Sequence, residues 1–284
     1  MPMIDQSSAA VLLDHAKKLR PQIETPHDHA LILLAHILGE SKTWVMAHPD
    51  LYLSQSQINR LDELSTRLAN GEPLPYLTGK QAFFGHEFAV NKHVLIPRPE
   101  TELMVEEALV WLNAHPEART GIDIGTGSGC IAISLALALE DLRMTAVDID
   151  AKSLALAIQN AVQLGCEDKI RFVQSNLFES ITRKQHLLCA NLPYIPSDQV
   201  KEVNSALYEP SIALDGGESG LCIIEACMKD CRDFLARPSL LLFEFQFDKA
   251  EEIKDLAERY FPFAKISILK DLAGLDRILR IEEE

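Results

Sequence analysis

The sequence predicts an α/β fold, a parallel sheet covered by helices on both faces, with a separate helical bundle before it. Three observations in its 284 residues carry this reading. Residues 1–75 read as helices only. From Thr120 onward, strand-like and helix-like segments alternate with short links. Between the first of these strands and its helix lies a glycine-rich loop, Asp123-Ile-Gly-Thr-Gly-Ser-Gly129.

In SSAAVLLDHAKKLR, residues Val11, Leu12, His15, Ala16 and Leu19 fall on one helical face. Pro26 can start a second helix, and Ala30 to Leu38 are nearly all apolar, as in a helix buried against its neighbours. A third begins at Ser54, where Gln57 suits a capping box and Leu53 can staple onto Ile58. Its Ile58, Leu61, Leu64 and Leu68 share a face, and Asn70-Gly71 ends it.

The composition changes at Gly71 to aromatics, glycines and prolines with hairpin-like alternation, so residues 76–98 read as a β-hairpin linker. Pro99 suits the first turn of a helix running to about Asn113, which opens the segment 99–284. The strand-like runs are GIDI, MTAVDI, IRFVQS, HLLCAN and LLLFEFQ; CIAISLALALE and AKSLALAIQNAVQLG are the helices between the first three. FAKISILKD and GLDRILRIEE read as two strands turning at Ala273-Gly274, an antiparallel hairpin at the sheet's edge.

Composition narrows the function. A net charge of −15 repels a phosphate backbone, which argues against direct nucleic-acid binding. The longest uncharged run, Ile124 to Leu139, falls short of the ~18 apolar residues of a membrane span. No signal-peptide pattern opens the chain, and its six scattered cysteines form no CxxC pair, so a reduced, cytoplasmic protein is expected. His27-Asp28-His29 has no further ligand cluster near it and reads as a solvated helix start; no metal site is expected. Cys222, Cys227 and Cys231 on a helix with Ile223 and Ile224 read as core packing.

The glycine loop marks a ligand site, because open α/β sheets bind ligands beyond the carboxyl ends of their strands. Gly125, Gly127 and Gly129 allow close backbone approach, and Asp148 ends the second strand, where a carboxylate can accept both ribose hydroxyls of a nucleoside. From Gly127 the loop is an acceptable dinucleotide fingerprint; from Gly125 it has the form found in methyltransferases that bind S-adenosylmethionine. The loop alone leaves both open.

Asn191-Leu-Pro-Tyr194 follows the fourth strand and decides between them. A planar NH2 group has two N–H donors and needs two acceptors. The Asn191 side-chain oxygen can take one and the Leu192 carbonyl the other, with Leu192 held extended by Pro193, which has no N–H to compete. Tyr194 offers a flat face for the planar group. The stretch suits an amide or amino-heterocycle held with its nitrogen towards an electrophile.

These residues resemble the HemK/PrmC class of protein-glutamine methyltransferases. The likeness runs through GEPLPYLTGKQAFFG (71–85), VLIPRPETE (94–102), DIGTGSGCIAI (123–133), AVDID (146–150), ANLPYI (190–195), YEPSIALDGGESGL (208–221) and DLAGLDRIL (271–279). IPRPETE points to the release-factor branch rather than the ribosomal-protein branch. The resemblance implies a seven-stranded, Rossmann-like methyltransferase domain after a helical bundle and hairpin. It implies methylation of the glutamine amide in the Gly-Gly-Gln motif of class-1 peptide-chain release factors, by a monomer. By motif, Gly125, Thr126, Gly127, Ser128 and Gly129 would wrap the methionine part of S-adenosyl-L-methionine, Asp148 its ribose, and Asn176 with Leu177 its adenine. Asn191, Leu192, Pro193 and Tyr194 would clamp the glutamine, and the amino-terminal helices would recognise the rest of the release factor.

Two positions depart from the family: Leu192 replaces a proline, and Asn176 an aspartate. Leu192 keeps the backbone carbonyl and loses stiffness; Asn176 keeps an acceptor and loses its charge. Asn-Leu-Pro-Tyr is also similar to ribosomal RNA adenine dimethyltransferases, so an RNA or DNA adenine amino group is the alternative acceptor. A cofactor-binding scaffold without turnover is a further alternative. Arg98 and Glu100 are expected to shape the mouth of the site.

Overall fold

The computed structural model describes residues 6–20, 23–202 and 207–284. The chain divides after Gly79 into two compact units.

The first unit is helical: α1 Ser8–Leu19, α2 Pro26–Leu38, α3 Lys42–Ala47, α4 Gln55–Ala69 and α5 Leu74–Thr78. The capping box forms at Ser54 and Gln57, and Leu33, Leu34, Leu53, Leu61 and Leu64 are fully buried. Leu53 and Ile58 join the same cluster, as a hydrophobic staple requires. His15, on the apolar face of α1, is buried but satisfied: its ring nitrogens meet Val11 O at 2.8 Å and Asp62 at 3.1 Å. Asp28 faces Lys42 at 3.2 Å and His29 turns back onto Thr25. Helices α3 and α5, of six and five residues, are too short to show a repeat and have no counterpart in the sequence pattern.

The second unit opens with the hairpin, β1 Lys80–Phe83 and β2 His86–Ala89, joined at Phe84-Gly85 with both φ positive, as a two-residue turn of matching twist requires. Phe83 and Phe88 pack edge to face at 6.1 Å between ring centres. A single turn at Pro99–Thr101 leads into α6 Glu102–Ala114. There follow β3 Thr120–Ile124, α7 Cys130–Ala138, β4 Arg143–Asp148, α8 Ala151–Leu164, β5 Ile170–Gln174, β6 Gln185–Ala190, α9 Cys222–Cys231, β7 Leu235–Glu244, α10 Ala250–Tyr260, β8 Lys265–Lys270 and β9 Asp276–Glu283.

The seven strands lie in the order β5-β4-β3-β6-β7-β9-β8. Strands β3 to β7 are parallel, and β9 runs antiparallel between β7 and β8. The expected seven-stranded α/β sheet and its terminal hairpin are therefore present. The period of two sorts side chains onto two faces. Leu187, Cys189, Leu240 and Leu242 pack with α6, α7 and the hairpin phenylalanines. Leu188, Ala190, Leu241 and Phe243 pack with α9 and α10. Among the described residues no helix is long and apolar enough to cross a membrane.

Two buried polar side chains hold the carboxyl edge in shape. Asn160 of α8 accepts from Ala89 N at 2.8 Å and donates to Ala89 O at 3.0 Å and to Ser128 O at 2.8 Å, tying the hairpin to the glycine loop. Asp123, at the end of β3, accepts from the Thr126 hydroxyl at 2.6 Å and from Ala132 N at 3.3 Å, while its other oxygen is buried without a partner. Burial, opposed by those two hydrogen bonds, pushes its carboxyl up to about 7.

Asn160→Ala leaves buried backbone groups unpaired and is expected to cost about 2–4 kcal/mol in denaturant unfolding; a loss within error of zero would show that water replaces the side chain. The unfolded chain holds the Asp123 proton only up to about its ordinary 3.8, the folded chain to about 7. Its contribution to stability is thus fully present below the lower value and lost as pH rises through the higher one. Asp123→Asn should flatten that decline, measured by denaturant unfolding across the window; profiles that stay parallel to wild type would refute the assignment.

Candidate active site at the carboxyl edge of the sheet

The chain builds β3, β4 and β5 outward in one direction and returns to lay β6 on the other side of β3. The carboxyl ends of β3 and β6 therefore border the point where strand order reverses, the place where open α/β sheets form a crevice. Ile124 pairs with Ala190 in register, so the segments that follow, Gly125–Gly129 and Asn191–Tyr194, leave the sheet side by side.

A cavity of about 430 Å³ opens there. Gly125, Thr126, Gly127 and Ser128 line one wall with Asp148; Asn176 and Leu177 stand beyond β5; Asn191, Leu192 and Pro193 face them from β6. Two expected residues are not in the lining. Gly129 is the first-turn cap of α7, with Ile133 and Ala157 where a side chain would stand. Tyr194 is half-buried next to the lining, its hydroxyl donating to Glu244 at 3.1 Å.

The glycine loop is folded tightly against the neighbouring strand. Gly125 N and Thr126 N both donate to Val147 O, at 2.9 and 2.8 Å. A Cβ on Gly125 would stand 3.1 Å from Leu192 Cδ2, and φ there is +75°, so both space and conformation call for glycine. Asp148 accepts from Gly127 N and from Asp150 N, each at 2.9 Å. A carboxylate has about four lone-pair positions, so acceptor capacity remains for a ligand hydroxyl. Burial raises the Asp148 pKa, and those backbone bonds pull it back. Asn176 donates to Glu179 at 2.9 Å, which leaves its side-chain oxygen as a free acceptor, and Leu177 takes a left-handed φ of +47° beside it.

Asn191 is half-buried and donates from its side-chain nitrogen to Thr101 Oγ1 at 3.0 Å. Thr101 in turn donates to Glu244 at 2.7 Å. Glu244 ends β7 and is almost fully buried; burial raises its pKa, while the Thr101 and Tyr194 hydrogen bonds and Arg277 lower it and the charge of Glu100 raises it.

The segment after Tyr194 is braced from behind. Ile195 N donates to Leu214 O and Gly216 N to Ile195 O. A Cβ on Gly216 would stand 2.7 Å from Pro193 O and 2.8 Å from the Tyr194 Cα, so only glycine allows this approach. Arg98, for which the sequence offers no partner, donates to Glu209 at 2.5 Å, and the same carboxylate accepts from Ile96 N at 2.9 Å. Glu209 is buried, and the residues after it, Ser211, Ile212 and Ala213, line the cavity. A paired, hydrogen-bonded buried carboxylate of this kind is costly to break. Thr101, Glu209 and Glu244 are site residues that the sequence pattern does not single out; the one local signal is that Thr101 lies inside IPRPETE and Glu209 inside YEPSIALDGG.

With known proteins, the chain shows two family matches: PrmC N-terminal domain over residues 10–79 and methyltransferase small domain over 101–212. A release factor glutamine methyltransferase of Nitratidesulfovibrio vulgaris is 35% identical over 278 residues, spanning 94% of this chain and 92% of that one. One from Bordetella pertussis is 34% identical over 256 residues, spanning 89% and 93%. Among solved structures, the hMettl16 catalytic domain in complex with MAT2A 3′UTR hairpin 6 superposes with a TM-score of 0.58 at 16% identity, over 80% of this chain and 82% of that one, a likeness of fold alone. At about a third identity sustained over nearly the whole length of both curated relatives, the chain belongs to the release factor glutamine methyltransferase family.

Proposed function

We propose that this chain transfers the methyl group of S-adenosyl-L-methionine to the side-chain amide nitrogen of the glutamine in the Gly-Gly-Gln motif of class-1 peptide-chain release factors, yielding S-adenosyl-L-homocysteine and releasing one amide proton to solvent. The observation that carries the reading is the sharing of one cavity by the glycine loop with Asp148 and by Asn191 to Pro193. The cofactor supplies a methyl group made electrophilic by a sulfonium. The residues present fit it: Gly125 and Gly127 offer backbone without side-chain bulk, Thr126 and Ser128 line the same wall, Asp148 has acceptor capacity left, and Asn176 has an oxygen beside Leu177 for an amino-purine.

Asn191 and the Leu192 carbonyl accept the two N–H donors of the substrate amide and hold its nitrogen at the electrophile. An amide nitrogen is a weak nucleophile, so positioning carries the rate; well-oriented reactants gain ~7–11 kcal/mol in favourable cases. Leu192, in place of the usual proline, is buried against the glycine loop and so supplies by packing the fixity that a ring would give. Tyr194 anchors the segment through Glu244. The helical unit, matched by the PrmC N-terminal domain, recognises the rest of the release factor. The protein acts as a monomer, and in the cytoplasm, where its six unpaired cysteines stay reduced.

The test mixes the protein with labelled S-adenosylmethionine and an unmodified class-1 release factor and maps the label by mass spectrometry. Label is expected on the Gly-Gly-Gln glutamine and is lost when that glutamine is replaced. Label on RNA, DNA or a ribosomal protein instead would transfer the function to that acceptor, and cofactor binding without label on any of them would mean a scaffold. Asn191→Ala is expected to lower kcat about 10²-fold or more, the cost of a misplaced reacting group, with cofactor affinity by calorimetry little changed; near-normal turnover would remove Asn191 from the clamp.

A further inference from the structure

Asparagine's side-chain oxygen and NH2 group are nearly the same size, so shape does not decide which of them faces a ligand; hydrogen-bond partners do. We infer that Thr101 and Glu244 are positioning residues that fix the direction of the Asn191 amide, so that its oxygen, not its NH2, faces the reacting nitrogen. This deepens the glutamine-amide reading above and rests on it.

The Thr101 hydroxyl has one proton, and Glu244 Oε2 stands 2.7 Å away. In its ionised form Glu244 only accepts, so that proton belongs to this bond; burial raises its pKa, and a proton on Oε2 would free the Thr101 hydroxyl and release the amide. Towards Asn191, 3.0 Å away, Thr101 beside ionised Glu244 therefore has only lone pairs to offer. Only N–H satisfies a lone pair, so the NH2 of Asn191 turns to Thr101 and Oδ1 turns away from it. The reverse orientation would set two acceptors against each other.

Among the described residues, Thr101 Oγ1 has no other donor within hydrogen-bond distance. Thr101, at the cavity wall, is 2% exposed and Glu244 1%, and groups buried so deeply pay heavily for an unmade hydrogen bond. The second oxygen of Glu244 takes the Tyr194 hydroxyl at 3.1 Å, so one carboxylate fixes both ends of the Asn191–Tyr194 segment. The three elements involved, the turn before α6, the end of β6 and the end of β7, meet only in the fold. If the amide of Asn191 were reversed, its NH2 would meet the substrate's NH2, donor against donor, and the clamp would lose one of its two acceptors.

Thr101→Val keeps the volume and removes the hydroxyl; Thr101→Ser keeps the hydroxyl. With a release factor as substrate, Thr101→Val is expected to lose about 10²-fold in kcat, as for a reacting group held in the wrong geometry, while KM for S-adenosylmethionine stays near wild type and Thr101→Ser recovers most of the rate. Equal losses in both variants, or full kcat in Thr101→Val, would overturn the inference. A second measurement needs no methyl transfer. In protein labelled with ¹⁵N at asparagine side chains, the Asn191 NH2 signals (assigned by their loss in Asn191→Ala) should exchange slowly with solvent in wild type and Thr101→Ser, and rapidly in Thr101→Val. Rapid exchange in wild type would overturn the inference, and this readout decides alone if Thr101→Val does not fold. Absence of glutamine methylation by the wild type, with slow exchange intact, would instead count against the proposed reaction and leave the amide's orientation standing.

Discussion

The cavity exists because two loops from neighbouring parallel strands come into van der Waals contact at the point where strand order reverses. Gly125 after β3 and Leu192 after β6 approach so closely that a single added carbon would stand 3.1 Å from the leucine. The in-register pairing of Ile124 with Ala190 sets the loops side by side, and the missing side chain lets them close. The left-handed φ of Gly125 is part of the same constraint, since it turns the chain from β3 into the loop that Val147 O then holds.

Around that contact the α/β unit uses buried polar groups where an apolar core would leave the loops without direction. Asn160 reads the backbone of the hairpin and of the glycine loop at once. Glu209 joins Ile96 and Arg98 to the strap that lines the cavity. Glu244 gathers Thr101 and Tyr194. Each group is costly to bury and more costly to leave unpaired, so each trades stability for a single geometry. Asp123 is the incomplete case: one of its oxygens has no partner, and its proton affinity rises accordingly.

Much of this was legible in the sequence, and the limit has a physical cause. Short apolar runs alternating with helical segments mark β3 to β7, of which β3, β6 and β7 are buried on both faces of the sheet, and the helices of 12 to 15 residues in the bundle show their apolar positions. Asn191 and the glycine loop stood out because their chemistry is local: a donor–acceptor set and a backbone conformation, each within five residues. Thr101, Glu209 and Glu244 have no such signal. Their partners lie 90, 111 and 143 positions away along the chain, and nothing in a window of sequence reports a hydrogen bond that the fold creates. Tyr194 shows the same limit: its hydroxyl finds Glu244, 50 positions away, a contact that no window of sequence reports.

The antiparallel strand β9 lies between β7 and β8, although it is the last strand to be made. During synthesis the chain emerges from its amino end, so β7 has no neighbour on that side until Asp276–Glu283 has left the ribosome. Ile278 is the residue that pairs with Glu244 in the finished sheet. A nascent chain can thus complete the glycine loop and the β3–β6 pairing while the carboxylate beneath Thr101 still borders an open edge. The polar floor of the site depends on β9, a strand made after both of its walls.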